Sequence, residues 1–280
     1  MTECSLSESG VFSVSHCEQV VNRVLDVGRL DAHTVGQKLS AIVDRDPEAP
    51  ALLLHGDEIA YRVLDRRSSQ LARVLIDRGV GPGDIVAVML PRSVDQVVAA
   101  WSVQKAGAAC LFAGDLNHDA LAAAGATFGI ASEPVADSQI RWLALGNAQI
   151  ERSLVAASER PVFYADRVRK LKVEHPAFVI PTKGGTAFLS QREALALAEY
   201  LRVEYAVDHE STTYTSYSSG RAAVFEFLAS TTAGAVSVLP SSKLGTDLVM
   251  GQVTHWFIAP SGATDPPDEN MVIVIVEENL

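Results

Sequence analysis

Alternating strand and helix patterns predict an α/β protein of two packed subdomains, each a mostly parallel sheet flanked by helices. Two observations carry this. The apolar runs Ile85 to Leu90 and Ala108 to Phe112 suit strands buried on both faces, and a helical pattern from Ser93 to Ala106 joins them through short connections. The same alternation returns later, as Thr212 to Tyr217, Arg221 to Ser230 and Ala235 to Leu239. With 48% apolar residues in 280, the chain has material for a sizeable core.

In chain order, residues 1–32 read as an N-terminal arm, 33–185 as the first subdomain and 186–280 as the second. Val35, Leu39, Ile42 and Val43 share one face of a helix over Thr34 to Val43. Ala51 to His55 and Glu58 to Arg62 form a hairpin about Gly56-Asp57, and Val63 to Arg78 returns to helix with Gly79 as its stop. The middle offers short strands at Phe128 to Ala131, Trp142 to Leu145 and Val162 to Tyr164, then a stronger one at Ala177 to Pro181. Ser190 with Glu193 three residues on is a capping box opening a helix to Val203. A short helix over Leu244 to Gln252, a strand over His255 to Ala259 and a β-branched strand over Met271 to Val276 complete the pattern. Met271 to Val276 carries no charge. It is expected as an interior strand, with residual apolar surface buried in a homodimer or a complex with a biosynthetic protein.

The net charge of −11 disfavours general nucleic-acid binding. No apolar stretch approaches about 18 residues, which predicts no membrane span. Cys4, Cys17 and Cys110 match no metal or redox spacing and, with no leader pattern, predict reduced thiols in a cytoplasmic protein. The seven histidines show no ligand spacing and read as surface or internally satisfied residues.

Three segments bear on function. They are Glu58-Ile-Ala-Tyr-Arg-Val-Leu with Gln70-Leu-Ala-Arg-Val-Leu, then Gly79-Val-Gly-Pro-Gly-Asp-Ile-Val-Ala-Val-Met-Leu-Pro-Arg-Ser, then Gln104-Lys-Ala-Gly-Ala-Ala-Cys-Leu. In this order and spacing they resemble the opening of adenylation domains of nonribosomal peptide synthetases, in the AMP-forming superfamily of acyl-CoA synthetases and luciferases. Ala177-Phe-Val-Ile-Pro-Thr, Thr212 to Pro240, Val253 to Ser261 and Val272 to Leu280 continue the resemblance collinearly. It implies a layered αβαβα body without the family's barrel and lid.

Departures from the pattern are informative. The resemblance places a phosphate loop, T-S-G-S/T-T-G-x-P-K-G, after the strand that ends near Thr182. This chain has only Thr182, Lys183, Gly184, Gly185 and Thr186 as its remnant. Such a loop works through consecutive backbone N–H groups and a lysine. The acyl-substrate pocket maps to Tyr217, Arg221 and Phe225, and Arg221 stands where peptide synthetases have an aspartate for the substrate ammonium. The two glycines of a later "GGE" become Glu277-Glu278. These changes predict a degenerate, truncated homologue without adenylate-forming activity and with no catalytic residue or metal. It would act as a binding or scaffold partner in peptide or lipid biosynthesis. ATP or AMP with Mg²⁺ fits only if the remnant loop still binds. The second reading is a partial AMP-dependent ligase, binding acyl or nucleotide ligand and completed by another chain.

Overall fold

In a computed structural model, residues 11–12, 34–54, 56–114, 116–135, 139–182, 185–240, 253–258 and 271–276 are described. The strands are β1 (Val11–Phe12), β2 (Pro50–Leu54), β3 (Asp57–Ala60), β4 (Ile85–Met89), β5 (Ala109–Phe112), β6 (Phe128–Ala131) and β7 (Arg141–Ala144). They continue as β8 (Pro176–Thr182), β9 (Gly185–Ser190), β10 (Thr212–Tyr214), β11 (Val236–Val238), β12 (His255–Ile258) and β13 (Val272–Val276). The helices are α1 (Val35–Arg45), α2 (Tyr61–Asp77), α3 (Val94–Ala106), α4 (His118–Ala123), α5 (Ala148–Ala156), α6 (Gln191–Glu204) and α7 (Gly220–Ala233).

Two sheets result. One has six strands in the order β7-β6-β4-β5-β8-β9, the other seven in the order β1-β13-β12-β10-β11-β2-β3. Both are parallel except for the hairpins β2–β3 and β8–β9. Sheet membership does not follow a cut at residue 185. That position falls inside the β8–β9 hairpin, and β2 pairs with β11 from the later half. β3 leads directly into α2, which carries the chain to β4 in the other sheet.

Period-2 alternation explains why the six-stranded sheet is buried on both faces. Val86, Val88, Cys110, Phe112, Phe178 and Ile180 enter the main core. Ala87, Ala109, Leu111 and Val179 pack on the opposite face against Leu121 and Ala124, at and just beyond α4. Helix α7 lies between the sheets. Phe227 approaches Phe112 and Phe178 edge-on, with ring centroids 5.9 and 5.8 Å apart. Each such fully buried aromatic is worth about 1.5–3 kcal/mol of transfer free energy.

Local chemistry sets the helix ends. Thr34 and Gln37 make a capping box at α1, Ser190 and Glu193 another at α6, and Ser93 Oγ accepts from Gln96 N at α3. Gly107 and Gly234 end α3 and α7 in left-handed conformation, with φ of 86° and 84°.

The structure departs from the sequence pattern at several places. The return strand of the first hairpin stops at Ala60, because Tyr61 already starts α2 and is buried. Val162 to Tyr164 is not a strand; Tyr164–Asp166 is a 3₁₀ turn whose Asp166 carboxylate accepts from Phe163 N. Helices α4 and α5 and strand β9 are additional to the elements the sequence predicts. Both are short helices capped by asparagines: Asn117 Oδ1 accepts from Ala120 N, and Asn147 Oδ1 from Gln149 N and Ile150 N. The helix expected over Leu244 to Gln252, along with Cys4 and Cys17, lies outside the described residues.

Met271 to Val276 behaves as expected of an interior strand. β13 lies between β12 and β1, and the arm contributes β1 through Val11 opposite Ile275 and Phe12 opposite Val276. On β12, His255 is a buried, internally satisfied histidine. Its Nε2 donates to Tyr205 O at 2.7 Å and Nδ1 lies 2.8 Å from Thr254 Oγ1. Burial holds its pKa below the ordinary 6.5. The fold therefore favours the neutral ring, and this contribution is complete above about pH 6.5 and lost as pH falls below it. The urea midpoint is expected to drop between pH 7.5 and 5.5, and to drop less in His255→Phe. An equal drop in both would remove His255 as the cause.

Candidate functional site

Open α/β sheets bind ligands in crevices beyond the carboxyl ends of their strands. In the six-stranded sheet, β4, β5 and β8 are adjacent and parallel, so their ends form one rim. Thr182 is the last residue of β8. It pairs with Gly185 across the hairpin, and its Oγ1 donates to Gly185 O at 3.1 Å. Gly185 has φ of 145°, in a region open to glycine. Thr186 pairs with Pro181 in the same ladder. Lys183 and Gly184 lie outside the described residues.

The start of α7 is brought to the same rim. Gln96 Nε2, at the first turn of α3, donates to Ser218 O at 2.7 Å and to Leu90 O at 3.0 Å. Ala113, just past β5, bridges to Ser219. Gly114 beside it has φ of 51°, and a Cβ there would sit 2.6 Å from Ser219 Cβ and Oγ. Only glycine allows the two loops this approach. Tyr217 is partly buried against the main core. Arg221, in the first turn of α7, is half-buried with its Nη2 shielded from solvent, so its guanidinium does not stand in bulk water. Phe225 lies a turn further on, 5% exposed within the core.

Behind the rim is a buried charged cluster. Arg92 follows β4 and is 8% exposed; Glu226 on α7 is fully buried. Arg92 Nη2 pairs with Glu226 Oε2 and donates to Ser237 Oγ on β11 at 2.9 Å. Thr213 Oγ1 and Ser237 Oγ each donate to Glu226 Oε1 at 2.6 Å. The pair thus ties the six-stranded sheet through α7 to β10 and β11. Tyr61 Oη adds a second tie, donating to Ala235 O at 2.7 Å, and burial and the nearby Glu226 charge push its phenol pKa up.

A further buried pair joins α3 to α2. Lys105 Nζ donates to Asp65 Oδ1 at 2.6 Å, Asp65 O at 2.8 Å and Ser69 Oγ at 2.9 Å. Burial pushes the ammonium pKa down to about 8, against the opposing pull of Asp65. Cys110 is fully buried on β5, and burial alone raises its thiol pKa, consistent with a packing role. Sequence reasoning missed both ion pairs, although a signal was present. Glu226 in Val-Phe-Glu-Phe-Leu and Lys105 in Trp-Ser-Val-Gln-Lys-Ala are lone charges within apolar helical runs, which points to buried partners.

The model of the AMP-binding enzyme family matches residues 39–265. The chain belongs to this family. It is 35% identical over 240 residues to a probable non-canonical nonribosomal peptide synthetase, CymA, of Salinispora arenicola, covering 80% of this chain and 3% of that one. It is 30% identical over 262 residues to novobiocin biosynthesis protein H of Streptomyces niveus, covering 85% of this chain and 44% of the relative. The fold matches an artificially fused adenylation–PCP di-domain from Klebsiella oxytoca with a TM-score of 0.68 at 20% identity, over 83% of this chain and 44% of that one. The chain therefore spans less than half the length of each of these proteins. As a family member it is an adenylation-domain-like region, and among the described residues no helix is long and apolar enough to cross a membrane.

Proposed function

We propose that this chain is an adenylation-type protein that does not form adenylates on its own and serves as a binding or scaffold partner in peptide or lipid biosynthesis. The observation that carries this reading is the pairing of β8 and β9 to their ends. Thr182 opposes Gly185, so two residues separate the strands where the family resemblance expects a phosphate loop. Ladder residues direct successive N–H groups to opposite sides and cannot converge them on one anion. The described ladder residues Thr182, Gly185 and Thr186 offer no convergent set of N–H groups for the phosphates of ATP, and on this reading the chain alone carries out no adenylation step. Arg221 supports the same reading, because a guanidinium in place of a carboxylate repels a substrate ammonium.

The second reading, a partial ligase completed by another chain, is favoured by the intact rim and by Tyr217 and Arg221 beside it. Arg221 there would favour an anionic or neutral ligand. Calorimetry of the chain with ATP·Mg²⁺ and with a nonhydrolysable acyl-adenylate mimic separates the two. The expected outcome is no saturable heat with ATP·Mg²⁺ and no pyrophosphate exchange above background with amino, aryl or fatty acids. Saturable ATP binding or carboxylate-dependent exchange would overturn the first reading.

A further inference from the structure

We propose that the segment Arg160 to Lys172 is a docking surface for an acidic, amphipathic protein helix, at the end of the sheet opposite the candidate site. The segment runs Arg-Pro-Val-Phe-Tyr-Ala-Asp-Arg-Val-Arg-Lys-Leu-Lys, with five cations and one carboxylate on a chain whose net charge is −11. Phe163, Tyr164 and Val168 project from it at 60%, 57% and 42% exposure. Large exposed apolar side chains set among cations match the composition of protein interfaces, where aromatic residues and arginine dominate the affinity.

The segment is held in place, so its aromatics are presented on a fixed frame. Arg73 Nη2 donates to Pro161 O at 3.1 Å and to Asp166 Oδ2 at 3.3 Å. Arg167 Nε donates to Lys105 O at 2.9 Å, and Arg169 Nε donates to Pro82 O at 2.8 Å while its guanidinium pairs with Asp84. Val168 packs so closely on Gly81 that a Cβ there would sit 2.4 Å from Val168 Cγ2. Pro82 and Asp84 precede β4 and Lys105 precedes β5, so the anchor points mark the amino ends of these strands. Thr182 and the start of α7 lie at the carboxyl ends, so a partner bound here leaves the candidate site uncovered.

Charge selects the occupant. None of the ion pairs among the described residues uses Lys170 or Lys172, and both are exposed. A second copy meeting this surface about a two-fold axis would set cation against cation. The phosphates of an RNA would satisfy the lysines, but RNA carries no aliphatic side chains to cover Val168 beside the aromatics. A protein helix with carboxylates on one face and leucines on the other satisfies the lysines and covers the aromatics together.

The test uses the intact chain and a fluorescein-labelled amphipathic peptide of glutamate and leucine, with a lysine-for-glutamate counterpart as control. Phe163→Ser/Tyr164→Ser and Lys170→Glu/Lys172→Glu are all surface changes, and an unchanged thermal midpoint confirms folding. By anisotropy, the acidic peptide is expected to bind and the lysine peptide not. Either double variant should weaken binding by roughly ten-fold or more, and added salt should weaken the wild-type complex. The proposal fails if the acidic peptide does not bind, if it binds the variants equally, or if single-stranded RNA displaces it from the same residues. It also fails if light scattering finds a wild-type dimer that Phe163→Ser/Tyr164→Ser dissolves, since the surface would then join two copies of this chain.

Discussion

Glu226→Ala is expected to destabilise the protein by about 3–5 kcal/mol, because it leaves Arg92 buried without its carboxylate. The carboxylate accepts from Arg92, Thr213 and Ser237, so its loss also strands two hydroxyl donors. Urea denaturation reads the change as a lower midpoint with little change in slope. Removing both charges, as Arg92→Met with Glu226→Leu, is expected to restore much of the loss, since a well-packed apolar pair often equals a buried ion pair. A single variant within about 1 kcal/mol of wild type, on the scale of an exposed ion pair, would mean that water reaches Arg92.

Asp65→Asn is expected to produce a loss of similar size at neutral pH and a smaller one at high pH. Lys105 titrates near 8 in the fold and 10.5 when unfolded, so below pH 8 both states hold the charge and the desolvation cost is fully present. Between those values the unfolded chain binds more protons, and stability rises with pH as the folded lysine becomes neutral. Without Asp65 the buried ammonium has no anionic partner, which lowers its folded pKa further and makes deprotonation the main relief. Urea midpoints at pH 7 and 9.5 should therefore converge for variant and wild type. A pH-independent gap would show that Asp65 acts through packing or its hydrogen bonds rather than by offsetting the lysine charge.

The elements legible in sequence are those whose local and tertiary signals agree. β4, α3 and β5 combine apolar runs, a serine cap and a left-handed glycine, and their bounds match the pattern to within a residue or two. The hairpin strand β9 is not legible. Gly185 to Ser190 follows a glycine-rich turn and has weak alternation, and only pairing with β8 makes it a strand. Membership of β2 and β3 in the later sheet is equally hidden, because periodicity reports which face is apolar and not which sheet receives it. At the candidate site, the short connection after Thr182 and the arginine at position 221 can be read directly. The Arg92–Glu226 pair cannot, since its partners are 134 residues apart and meet only when α7 packs between the sheets.

The interleaved strand order also sets a timetable for synthesis. All six strands of one sheet fall between Ile85 and Ser190, a single uninterrupted stretch. Once that stretch has left the ribosome, the sheet has every strand neighbour it needs, the pairing of Cys110 with Phe178 being its most distant parallel contact in sequence. The other sheet joins β1, β2 and β3 from the first 60 residues to four strands that begin at Thr212. Of its early members, β2 and β3 pair only with each other and β1 has no partner until the last quarter of the chain arrives. Pulse proteolysis of stalled nascent chains should find the first sheet resistant while Pro50 to Ala60 is still cleaved.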